Sequence, residues 1–189
     1  MRILVAFASR NGSTAEIAER VAGRLRGAGR DVDVAEMGGG PEVSGYDAVV
    51  LGSAVHNQAW LPEAADFVSR HVSALSALPL WLFSVGMSDG LPKLLRAKGK
   101  QLQEKRILGL LGADVLQAQG HRLFSGVYRE GQLKGTAHAM FKLIGGRFGD
   151  FRDWAAIESW ADGISQELAA AAGTLPGQGQ AGGNGREDP

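Results

Sequence analysis

An unbroken apolar run from Ile3 to Ala8 meets a polar turn, Ser9-Arg10-Asn11-Gly12-Ser13-Thr14, and then gives way to helical spacing with Ile17, Ala18, Val21 and Ala22. Continuous apolar runs rich in β-formers are how strands covered on both faces read, and the change to a period near 3.6 marks a helix. The alternation recurs along the chain. A second strand is predicted at Asp31 to Glu36, ended by Gly38-Gly39-Gly40-Pro41, and a third at Tyr46 to Ser53. Leu61 to His71 has helical spacing, with Pro62 suited to a first turn. Pro79 to Val85 reads as a fourth buried strand, Leu91 to Leu111 as a helix, and Asp114 to Gln119 as a fifth strand that resumes near Leu123 to Gly126. Val127 to Phe148 reads as an insertion carrying a short amphipathic helix, Leu133 to Ile144. Trp154 to Ala172 is the last helix, with Asp153 as its cap.

Strands that alternate with helices form a parallel sheet covered on both faces. The expected architecture is therefore one α/β domain over residues 1–172: a doubly wound, five-stranded parallel sheet in three layers, with the insertion near the last strand. From Gly173 the chain is glycine, glutamine, proline and charge without apolar periodicity, so residues 173–189 read as a disordered tail. In a doubly wound sheet, ligands sit beyond the carboxyl ends of the strands, where the strand order reverses. Three turns converge there: Ser9 to Thr14, Ser53 to Trp60, and Ser84 to Gly90.

The first turn has the makings of an anion site. Backbone N–H groups at a helix start lack intrahelical partners, and the helix dipole adds partial positive charge. Ser9, Ser13 and Thr14 supply hydroxyls beside them. The turn has neither the Gly-x-Gly-x-x-Gly spacing of dinucleotide folds nor the Gly-Lys-Ser/Thr ending of triphosphate loops. A hydroxyl-rich loop with one glycine suits a phosphate monoester, whose oxygens each accept bonds from hydroxyls and amides. A mononucleotide such as FMN fits that description.

Composition narrows the chemistry. Twenty Lys and Arg balance twenty Asp and Glu in 189 residues, so no net field recruits nucleic acid. Cysteine is absent, which excludes thiolate catalysis, disulfides and protein-ligated iron–sulfur clusters. Redox chemistry would have to be carried by a bound cofactor. The four histidines and scattered acids show no metal-ligand spacing. The first apolar run is too short for a membrane span or a cleaved signal, so a cytoplasmic location is expected.

Ser9 to Thr14, Val49-Val50-Leu51-Gly52-Ser53-Ala54-Val55, Trp60-Leu61-Pro62-Glu63-Ala64, Trp81-Leu82-Phe83-Ser84 and Gly149-Asp150-Phe151-Arg152-Asp153-Trp154 resemble the flavodoxin-domain family. Within it they are most similar to the quinone-dependent protoporphyrinogen dehydrogenases and their bacterial relatives. The resemblance runs from the start to about Leu168. It implies a flavodoxin-like fold with noncovalent FMN. By the same resemblance Ser9, Arg10, Asn11, Gly12, Ser13 and Thr14 hold the phosphate. Ser53, Ala54, Val55, His56, Asn57 and Trp60 on one side, and Ser84, Val85, Gly86, Met87, Ser88 and Asp89 on the other, flank the isoalloxazine. Flavodoxins usually carry threonine where Asn11 stands, and an Asn amide also donates to phosphate. The third turn has no aromatic for stacking, so Trp60 or His56 is expected to cover one face of the ring and Met87 to touch the other.

The implied activity is electron transfer from an organic substrate, such as protoporphyrinogen, to a quinone such as menaquinone in haem biosynthesis. No side chain stands out as a general base, which suits cofactor-run chemistry. Other readings compete. Ser9 to Thr14 is also an ordinary capping sequence, and Gly86-Met87-Ser88-Asp89-Gly90 formally matches a serine-hydrolase elbow, with Asp114, His121 and His138 downstream. A diffusible electron carrier is a further alternative, against which stand the neutral charge and a basic helix. A domain that has lost FMN and serves in regulation is another. Lys93, Arg96, Lys98, Lys100, Lys105 and Arg106 form a solvated helix face or a contact with anionic lipid at the inner face of the cell membrane.

Overall fold

The computed structural model describes residues 1–86, 93–132, 135–143 and 145–173. Five parallel strands make the central sheet: β1 (Arg2–Ala8), β2 (Asp31–Glu36), β3 (Ala48–His56), β5 (Leu80–Gly86) and β6 (Gly120–Ser125). Their order is β2-β1-β3-β5-β6, with a two-residue strand β4 (Ala59–Trp60) antiparallel to the end of β3. The expected doubly wound α/β sheet is present. The three inner strands, β1, β3 and β5, are nearly continuous in apolar residues because both their faces are covered, whereas the edge strands β2 and β6 carry Asp31, Asp33, His121 and Arg122. Ile3 and Val5 of β1, Val50 of β3 and Trp81, Phe83 and Val85 of β5 face α1 (Ser13–Gly27) and α6 (Trp154–Gly173). Leu4, Ala6, Leu51, Leu80 and Leu82 face α2 (Pro62–Leu75) and α3 (Lys93–Leu111).

Helix α1 buries Ile17, Ala18, Val21, Ala22 and Leu25, one stripe at helical spacing. Its other side meets α6 through Arg20–Glu158 at 2.6 Å and a bidentate Arg24–Asp162 pair at 3.0 and 2.6 Å. These pairs are half exposed, so they set the register of the two helices more than the stability. At the start of α6 the Asp153 carboxylate accepts the Ala156 N–H at 3.0 Å, the cap expected from the sequence. Pro62 occupies the first turn of α2, and the Leu61 N–H before it donates to Ser53 Oγ at 3.1 Å.

The fifth strand departs from the sequence reading. Ala113–Leu116 is a single helical turn, α4, bounded by left-handed Gly112 and Gln117 and anchored by buried Leu116. The strand begins only at Gly120, after the Gln119 N–H has bonded Leu80 O at 2.7 Å. A run with so few apolar residues fits either state, and here left-handed Gly112 and Gln117 close it into one helical turn over buried Leu116. The last-strand insertion holds β7 (Val127–Tyr128), α5 (Gly135–Leu143) and β8 (Gly149–Asp150), and β7 pairs antiparallel with β8. Helix α6 runs through Gly173, where the described residues end, so the expected tail lies outside them. Among the described residues no helix is long and apolar enough to cross a membrane.

Candidate functional site

Strand β1 crosses to β2 on one side and the chain returns to β3 on the other, so the reversal of strand order falls between β1 and β3. A cleft of about 400 Å³ opens at the carboxyl ends of the strands there. Its first wall is the turn after β1. Gly12 sits in the left-handed region with φ 89°, a conformation that a side chain disfavours, and this bends the chain into α1. The Gly12 N–H donates to Ser9 Oγ at 3.1 Å, and the first closed helical bond is Glu16 N–H to Gly12 O at 3.0 Å. The N–H groups of Ser13, Thr14 and Ala15 thus form the open first turn of α1. Arg10, Asn11, Ser13 and Thr14 line the cleft beside it.

An acid in that same turn, Glu16, would oppose an anion. Arg152 answers it: the guanidinium pairs with Glu16 and with Asp150 at 2.6 Å, and lies 4.6 Å over the Trp154 ring. Arg152 holds the Asp150 carboxyl below the usual carboxylate range. Arg152 thereby joins the segment before α6 to α1, while Trp160 packs edge-on against Phe83 and Phe124 at the border of the core.

The second wall is the end of β3, with Ala54, Val55 and His56, together with Leu61. Val85 and Gly86 of β5 form the third. The fourth wall, Gly126, Val127, Tyr128, Gly131 and Gln132, comes from the insertion and was not singled out from the sequence. A topological signal was available: a segment leaving the carboxyl end of the last strand begins at the same rim as the turn before α1. The insertion is fastened to that rim, since the Val127 N–H donates to Ser13 Oγ at 3.1 Å and the Gly126 N–H to Gly86 O at 3.1 Å. Tyr128 brings an aromatic ring to the cleft, backed by Phe141 and Phe148. Burial raises its phenol pKa, so the hydroxyl stays neutral.

Several expected site residues lie behind the cleft. Ser53 is fully buried and clips α2 to β3. Trp60 is 5% exposed and folds into the core beneath the hairpin, where its indole N–H donates to Ser84 Oγ at 2.7 Å. Ser84 is itself fully buried. Asn57 stands at the hairpin tip, and Ser9 and Gly12 shape the first turn. Met87, Ser88 and Asp89 lie outside the described residues, as do Gly90 of the hydrolase-like elbow and the side chains of Lys93, Arg96, Lys98 and Lys100.

Ser84 Oγ also lies 2.9 Å from His121 Nε2, whose Nδ1 is 2.8 Å from Glu104 Oε1. Burial pulls the His121 pKa below the ordinary histidine value, against the opposing pull of Glu104. The unfolded chain therefore binds more protons than the folded one in the window just below the ordinary value. Stability is complete above about pH 6.5 and falls as the pH drops through the depressed folded value. Urea midpoints at about pH 7.5 and about pH 5.5 are expected to fall further for the parent than for His121→Gln, which lacks the titrating ring. Equal falls would exclude His121 as the source.

The flavodoxin-domain family model matches residues 4–147. The chain belongs to the flavodoxin-domain family. FMN is the cofactor of this family, and the donor set at the cleft suits it: hydroxyls, an amide, a guanidinium and open helix N–H groups at one end, apolar and aromatic walls at the other. Protoporphyrinogen IX dehydrogenase [quinone] of Escherichia coli strain K12 is 32% identical over 89 residues, 46% of this chain and 49% of the relative. The chain thus aligns with about half the length of the curated relatives it matches. A flavodoxin from the domain Archaea superposes with a TM-score of 0.53 at 12% identity, covering 89% of this chain and 99% of that one. The flavodoxin of Streptococcus pneumoniae TIGR4 gives 0.51 at 18% identity, covering 90% and 99%. Both show the shared fold.

Proposed function

We propose that the chain is an FMN-dependent oxidoreductase that moves electrons from an organic substrate, such as protoporphyrinogen IX, to a quinone such as menaquinone, in haem biosynthesis. The observation that carries this reading is the cleft itself, polar at the α1 turn and apolar and aromatic at the insertion, at the switch point of a flavodoxin sheet. Arg10, Asn11, Ser13, Thr14 and the open N–H groups of α1 hold the phosphate. Ala54 to His56 and Val85 to Gly86 border the ring, with Tyr128 facing it from the insertion. FMN, when bound, supplies the electron-transfer chemistry. The chain's residues bind, orient and exclude water. Similarity to the E. coli dehydrogenase supports the choice of substrate and acceptor.

Helix α3 supports a location against the inner face of a membrane, where a quinone resides. Lys105 and Arg106 are exposed there, and Leu102 and Leu110 are 71% and 64% exposed on the same helix. Each cation near an anionic surface contributes about 1 kcal/mol.

One experiment tests these statements together. The purified protein is expected to show a flavin absorption spectrum and, without oxygen, to reduce a menaquinone analogue at the expense of protoporphyrinogen. Turnover is faster with quinone in anionic than in neutral vesicles. Flavin without substrate-dependent quinone reduction above a blank would make the chain an electron carrier, and no flavin after reconstitution would remove the oxidoreductase reading altogether.

A further inference from the structure

Behind the cleft, four side chains from four elements form one directed chain of hydrogen bonds. The Trp60 indole N–H on β4 can only donate, so Ser84 Oγ on β5 accepts it at 2.7 Å. The Ser84 hydroxyl hydrogen then goes to His121 Nε2 on β6 at 2.9 Å. That leaves the ring proton on Nδ1, which donates to the Glu104 carboxylate on α3 at 2.8 Å. With the imidazole neutral, a donor at one end and an acceptor at the other set every role between. Ser84 is fully buried and the His121 side chain is 4% exposed, so each bond lies in a medium where an unmade partner is costly. The serine is no nucleophile here: it is shielded from the cleft, and a tryptophan ends the chain.

The same helix holds the hairpin a second time. Arg106 donates to Gln58 Oε1 at 3.2 Å, one residue before Ala59. Gln58 and its neighbour Asn57 both have positive φ, 63° and 50°, so the two-residue reversal is a type I′ geometry built without glycine. Such a turn persists where its surroundings over-determine it. Across the hairpin, Trp60 pairs with Val55 and Ala59 with His56, and Val55 and His56 are cleft wall.

We infer that Trp60, Ser84, His121 and Glu104, with the Arg106–Gln58 bond, are a positioning device by which α3 holds the β3–β4 hairpin in place as the wall of the cofactor cleft. His121 is a positioning residue, acting on Val55 and His56 through Ser84 and Trp60. The consequence for cofactor affinity rests on the reading that the cleft binds FMN. The geometric statement does not.

Hydrogen exchange on the cofactor-free chain tests the geometry, and titration with FMN tests the consequence. Glu104→Ala and Gln58→Ala change partly or fully exposed positions and leave the core intact, whereas Ser84→Ala interrupts the chain at its centre. Losing one such bond is expected to speed exchange in residues 55–61 by about 10-fold while residues 3–8 of β1 keep the parent rate. Glu104→Gln retains an acceptor for His121 Nδ1–H and restores the parent rate. FMN affinity falls several-fold in the alanine variants and returns in Glu104→Gln. Unchanged exchange in residues 55–61, or a rise spread evenly over the chain, would overturn the inference. If the parent itself fails to bind FMN, the oxidoreductase reading falls, and the exchange pattern still decides the positioning role.

Discussion

The Ser13→Ala/Thr14→Ala chain is expected to bind FMN about 100- to 10,000-fold more weakly than the parent. Each hydroxyl facing a phosphate dianion makes a charge-assisted hydrogen bond worth about 1.5–3 kcal/mol, and two of them amount to about two to four decades in affinity. Both residues line the cleft at the open turn of α1. Ser13 has a second duty, because its Oγ accepts the Val127 N–H at 3.1 Å and so ties the insertion to the first turn of α1. Thr14→Ala alone separates the two contributions. Riboflavin, which lacks the phosphate, provides the control: its affinity is insensitive to Thr14→Ala and changes with Ser13→Ala only as far as the Tyr128 wall moves. Fluorescence titration of both flavins reads all of these. Equal FMN affinity in the double variant and the parent would place the phosphate elsewhere.

The turn could be read from the sequence because its chemistry is local. A buried strand, one glycine and three hydroxyls within six residues define a helix start that attracts anions, whatever the rest of the fold does. The parallel sheet was equally legible, since strands covered on both faces must be apolar throughout. What could not be read was which side of the sheet a hydroxyl or an indole would take. Ser53, Trp60 and Ser84 belong to segments read as turns converging on the cleft, yet they lie in β3, β4 and β5, and each is drawn inward by a partner outside its own strand: Leu61 N–H for Ser53, Ser84 for Trp60, and His121 for Ser84. The I′ reversal at Asn57-Gln58 returns the chain so that Trp60 lies opposite Val55, and only Asn57 signals it locally, since the glycine that usually follows is absent. Tyr128 was missed for the converse reason. Its segment looks like an insertion by composition, and only the bonds from Gly126 and Val127 to the rim bring it to the cleft.

Phe83 lies directly over Gly52, and Gly52→Ala is expected to lower the melting temperature by roughly 6–12 °C through about 3 kcal/mol of overpacking. Gly52 has an ordinary strand backbone, so conformational freedom is not what requires glycine. Space is. A β-carbon there would stand 1.9 to 2.4 Å from three atoms of the Phe83 ring. The ring has nowhere to retreat, for it is fully buried and packs against Trp160 at 5.9 Å and Phe124 at 6.2 Å. Relief therefore demands that β3 and β5 shift or that the aromatic cluster under α6 repack. Either course disturbs the site, since Gly52 is followed by Ser53, which clips α2, and by Ala54 to His56, which wall the cleft. Pairing the change with Phe83→Leu discriminates this cause from a general intolerance of β3. The smaller side chain costs stability alone by leaving a void, and in the double variant the added methyl fills part of that void, so the two losses sum to more than the double shows. Thermal unfolding of the two single variants and the double measures that coupling; additive losses, or a Gly52→Ala chain as stable as the parent, would show that the ring does not constrain this position.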